Sequence, residues 1–92
     1  MRVADTIEKK LHQALSPVRL EIVDESHLHA GHGGARPQGE SHFRLEIVST
    51  DFAGMPRLER QRAVYRILSD EMESDIHALA MTTLTPDEDA TP

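Results

Sequence analysis

His27, His29 and His32 stand in the glycine-rich stretch SHLHAGHGGARPQGES, from Ser26 to Ser41, and His42 follows it directly. Neutral imidazole binds borderline metals well. An exposed loop leaves its ring nitrogens available, whereas a buried histidine normally commits them to internal hydrogen bonds. Metal–imidazole bonds are short, about 2.0–2.1 Å for zinc, so several of these rings must converge to hold one ion. Spacing alone leaves two readings open: a metal site, or solvated histidines on a loop with no ligand. His77 differs because it heads the apolar segment IHALAMTTL, where a structural histidine bonded to backbone is the ordinary reading.

Other constellations are less specific. Gly31-His32-Gly33-Gly34 matches the GxxG pattern that KH domains use to clamp a nucleic-acid backbone, but such a loop joins two helices, and here strands flank it. Arg57, Arg60, Arg62 and Arg66 recur at helical spacing and can line an exposed helix side. Phosphate binding is one use of such a row. A solvated face, with Arg62 and Arg66 near Glu59 and Asp70, is the other. No Ser/His/Asp or Cys/His set and no Walker loop is present, and Asp24-Glu25 is too common a pair to imply hydrolysis. None of these patterns points to a catalytic centre.

Composition narrows the class. Ninety-two residues suit one domain with a single modest core. The absence of cysteine excludes a disulfide framework and a self-sufficient thiolate site, and it is compatible with a reducing cytosol. No apolar run approaches the roughly 18 residues of a membrane span, so a cytoplasmic protein without membrane contact is expected. A formal net charge of −6 argues against bulk electrostatic capture of nucleic acid. Phe43, Phe52 and Tyr65 are too few for a base-stacking platform.

The elements that must position these groups follow from periodicity. Val3, Ile7, Leu11 and Leu15 recur every four residues and predict an amphipathic helix that Ser16-Pro17 stops. Alternation of Val18, Leu20 and Ile22, then of Phe43, Leu45 and Ile47, predicts two half-buried strands, most simply an antiparallel hairpin. Their connection of about 16 residues far exceeds the 2–5 usual for hairpins, a length associated with function or disorder. Ser49 to Met55 reads as a turn around Gly54. From Pro56, a second helix to about Ser74 is expected to bury Leu58, Val64, Ile67, Leu68 and Met72. Ile76 to Leu84 predicts a strand flanked or covered on two sides. Thr85-Pro86-Asp87-Glu88 has the residues of an N-cap, first helical position and capping box, with room for one turn. The expected architecture is α+β: a domain over residues 1–85, in which two helices cover a three-stranded sheet, and a short acidic tail at 86–92.

Read in order, VDESHLHAGH, SHFRLEIVSTDFAG, RLERQRAVYRILSDEM and IHALAMTTLTPDE, the chain resembles the BolA family over nearly its whole length. The most specific elements are the SHF entering the second strand, Phe52-x-Gly54, the helix from Arg60-x-Arg62 to Tyr65, and His77-Ala78-Leu79 before Thr85-Pro86. The resemblance implies an αββααβ, KH-like fold with a three-stranded mixed sheet, the second helix dividing into a short and a long piece. It further implies a monothiol glutaredoxin as heterodimer partner and a shared [2Fe-2S] cluster, with a role in iron-sulfur trafficking or iron regulation. The free chain is then expected to be a monomer without the cluster. By position, the family's C-terminal cluster ligand falls on His77 and its loop ligand on His29, with His32 the next choice. Since the chain lacks cysteine, the other ligands are thiolates of the glutaredoxin and its bound glutathione. Histidine in place of thiolate on one iron has precedent in Rieske centres. DNA-binding transcriptional regulation, also known in the family, would use Arg57, Arg60, Arg62 and Arg66. Members commonly carry histidine between the two arginines of the second helix, where this chain has Gln61.

Overall fold

The computed structural model describes residues 3–25 and 42–90. Helix α1 spans Val3–Leu15 and buries Ile7, Leu11 and Leu15 along one stripe, as the four-residue spacing requires. Ser16 ends it in a left-handed conformation (φ 44°), with its N–H donating to the His12 carbonyl at 3.1 Å. The Leu15 carbonyl, which has no partner inside the helix, accepts a 2.6 Å hydrogen bond from the buried Ser49 hydroxyl.

Strands β1 (Arg19–Asp24), β2 (His42–Val48) and β3 (Ala78–Leu84) form one mixed sheet with β2 in the centre. Antiparallel pairing joins β1 to β2, with Leu20 opposite Ile47, as the alternation predicts. Pairing of β2 with β3 is parallel and begins at His42 opposite Ala78. A parallel pair needs a long crossover. It is supplied by a 3-10 turn (Thr50–Phe52), helix α2 (Arg57–Ile67) and helix α3 (Ser69–Ser74). Phe43, Leu45 and Ile47 of β2 pack with Ile7, Leu11, Phe52, Val64, Leu68 and Ile76 into one core. Gly54 closes the approach to α2 at φ +78°, a conformation glycine adopts without steric cost.

The second helix divides at Leu68 into a long piece and a short one, as the family resemblance implies and periodicity alone does not. The structure departs from expectation at two further places. Leu58 is 55% exposed, because the inward stripe runs through Arg60, Val64 and Leu68 at four-residue intervals and turns Leu58 outward. The other is β3, expected to be flanked or covered on two sides, yet it is an edge strand whose Ala78, Ala80 and Thr82 are exposed. Its apolar character reflects small residues on an open face.

The last element, α4 (Pro86–Ala90), is the single turn expected. Its capping box is reciprocal: the Thr85 N–H donates to Glu88 Oε1 at 2.8 Å, and the Glu88 N–H donates to Thr85 Oγ1 at 3.2 Å. Arg19 donates to Asp89 at 2.6 Å and Arg60 to Glu88 at 2.6 Å, so two ion pairs tie this turn to β1 and α2.

Leu45 lies fully buried at the middle of the central strand. Leu45→Ala should lower stability by about 2–5 kcal/mol, read as a lower urea midpoint at unchanged slope. A loss below about 1 kcal/mol would contradict this placement of the core.

Candidate functional site

The pairing pattern gathers chemistry at one end of the sheet. His42 opens β2 and His77 immediately precedes β3, so the parallel register sets them side by side. Their rings stack, with centroids 6.1 Å apart and planes inclined by 19°. That distance lies within the range of offset aromatic pairs. The Glu25 N–H donates to the His42 carbonyl at 2.7 Å, and Arg44 pairs with the Glu25 carboxylate at 3.0 Å. The connection between β1 and β2 therefore departs and returns beside the two rings. His27, His29, His32 and the Gly31 to Gly34 pattern lie outside the described residues.

His77 is exposed, in contrast to a packed structural histidine. Its neighbours explain this. Ile76 is buried at 5% exposure, and its N–H is bound by the Glu71 carbonyl at 2.8 Å at the end of α3. Ala78 on the other side enters the ladder with His42. The bend between these two anchors directs the imidazole outward. Glu71 is in turn held by Lys10 at 2.8 Å, a contact that raises the Lys10 pKa and fastens α3 to α1.

Among the described residues, no three His, Cys, Asp or Glu side chains gather into a metal site. The exposed imidazole of His77 could serve as one ligand of a centre whose other donors came from elsewhere. A chain without cysteine fits a mixed nitrogen and sulfur centre only as its nitrogen-donating half. The described residues are consistent with that half-site.

The arginine row is not continuous. Arg57, Arg62 and Arg66 are exposed, and Arg62 approaches Glu59 at 3.5 Å. Arg60 instead turns inward and is 9% exposed, which corrects its expected place on the outer face. Its Nε donates to the Met55 carbonyl at 2.8 Å, and its Nη1 donates to the Thr83 carbonyl at 3.0 Å. The guanidinium also lies 5.7 Å over the Phe52 ring. Exposed Leu58 and Tyr65 occupy the outer face, with the Tyr65 hydroxyl 3.5 Å from the Leu79 carbonyl. Spacing did not identify Arg60 as internal, since arginine at a stripe position normally marks the wet side.

Hydrogen bonds from Arg60 and from the Thr85 N–H hold the Glu88 carboxyl at a pKa of about 2, below its ordinary 4.5. A depressed folded-state pKa gives stability that is present above about 4.5 and is lost as pH falls toward 2. Glu88→Gln should therefore flatten the acid limb of the stability curve in that window. Identical acid limbs for both proteins, measured by urea midpoints against pH, would contradict the pairing.

A small α+β domain with a mixed sheet, presenting imidazole where two parallel strands begin, defines the class. The chain belongs to the BolA family: the family model described as BolA-like protein matches residues 11–88. A Sinorhizobium protein described as an uncharacterized protein in the cobS 5' region is 48% identical over 89 residues, 96% of each chain. The Escherichia coli DNA-binding transcriptional regulator BolA is 42% identical over 85 residues, 92% of this chain and 77% of its own. Two plant relatives are longer, and the chain spans 23% and 54% of them. The solved structure of BolA1 from Arabidopsis thaliana superposes with a TM-score of 0.87 at 39% identity, covering 100% of this chain and 98% of that one. It has the same three-stranded α+β architecture. Among the described residues, no helix is long and apolar enough to cross a membrane.

Proposed function

We propose that the protein is a cytoplasmic, non-enzymatic adaptor that docks a monothiol glutaredoxin and supplies imidazole ligands to a shared [2Fe-2S] cluster. The observation that carries this reading is the exposed His77, held between two anchored neighbours at the point where the β1–β2 connection leaves and rejoins the sheet. His77 is the fixed ligand. His29 is the second ligand, four residues beyond Glu25 in the sequence. His32 is the next choice for the same role. When bound, the cluster supplies one-electron chemistry and transferable iron and sulfide, at a potential that histidine ligation raises. The chain itself binds and orients. Thiolates come from the glutaredoxin and its glutathione.

Mixing the protein with cluster-loaded glutaredoxin should give a 1:1 complex with an altered visible spectrum. His77→Ala should change that spectrum, and a spectrum identical to that of the unsubstituted complex would refute the ligand assignment. His29→Ala should speed cluster loss more than it weakens docking.

A second reading rests on the relative described as a DNA-binding transcriptional regulator. The exposed Arg57, Arg62 and Arg66 are the residues available for it, while Arg60 is engaged internally. Net charge of −6 opposes it. Such binding should weaken steeply with salt, and DNA titrations at low ionic strength that show no salt-sensitive affinity exclude it.

A further inference from the structure

The two stacked imidazoles are held unequally. His42 lies within the β2 ladder, its carbonyl bound by the Glu25 N–H at 2.7 Å and its position matched to Ala78 on the other side. His77 stands at a bend outside the ladder, with an exposed ring. Among the described residues, backbone anchors flank it at Ile76 and Ala78. An imidazole lone pair lies in the plane of its ring, so whatever sets that plane also sets the direction in which His77 can coordinate. The near-parallel His42 ring, 19° away in orientation and 6.1 Å distant, is the aromatic wall that does so.

We infer that His42 is the positioning residue for His77: it fixes the plane and rotamer of the exposed imidazole through ring stacking and is not itself a ligand. This rests on the reading of His77 as a cluster ligand, but it makes a separate claim about the free protein. A ligand held in one orientation loses less freedom on binding than one that must first be ordered. Outer-shell groups that orient ligating histidines commonly change metal affinity 10–100-fold when removed.

The test uses His42→Ala and His42→Phe, the second retaining an aromatic ring without nitrogen donors; backbone amide spectra verify that both keep the sheet. In the free protein, side-chain NMR couplings and relaxation should show a single His77 rotamer. His42→Ala should average it and His42→Phe should restore it. In the complex with cluster-loaded glutaredoxin, His42→Ala should lose the cluster about tenfold faster and change its visible circular dichroism. His42→Phe should stay near the unsubstituted protein. An unaltered His77 rotamer in His42→Ala overturns the inference. So does His42→Phe losing cluster as fast as His42→Ala, since the imidazole nitrogens of His42 would then be what matters. Failure of the ligand reading is separate: His77→Ala would leave the spectrum of the complex unchanged, while the free-protein couplings would still decide whether His42 orients His77.

Discussion

The parallel pairing of β2 with β3 is the constraint on which the rest of the structure depends. Parallel strands start at the same end, and the chain must cross the length of the sheet to begin the second one. The 3-10 turn, α2 and α3 make that crossing, and their packing on Phe43, Leu45 and Ile47 closes the core. Because β1 runs antiparallel to β2, its end also meets the start of β2. The end of β1, the start of β2 and the start of β3 thus share one edge of the molecule. His42, His77 and both stems of the long connection lie there as a result.

The opposite end is organised by Arg60. A buried guanidinium is costly unless its donors are matched, and here the carbonyls of Met55 and Thr83 and the carboxylate of Glu88 receive them. Glu88 simultaneously caps α4 through Thr85, so one ionic contact joins α2, the end of β3 and the terminal turn. Arg19, between Glu46 and Asp89, repeats the arrangement on β1. Both contacts of Arg19 raise its pKa, in keeping with a cation held by two carboxylates. Ion pairs tie this end of the sheet together, while His42 and His77 stand at the other.

Much of this was legible from periodicity. Helix α1, the β1–β2 hairpin and the Thr85 capping box follow from local spacing and local hydrogen bonding, which the sequence encodes directly. Strand order was not legible, since the edge position of β3 depends on pairing between residues more than thirty apart. Nor was the orientation of α2. Leu58 outside and Arg60 inside invert the hydropathy rule, because Arg60 finds polar partners from three other segments that no window along the helix contains. The histidine loop was visible by composition, and His77 by resemblance to a family. The stack of His42 on His77 was hidden, because stacking across a parallel register leaves no mark in either neighbourhood.

The central claim is that imidazole from this chain is bonded to iron in the assembled complex. Hyperfine spectroscopy of the reduced complex tests it directly when only this chain carries nitrogen-15. A strongly coupled nitrogen-15 signal, losing one of its two imidazole contributions in His77→Ala, is the expected result. A spectrum with no strong coupling from the labelled chain would contradict the account.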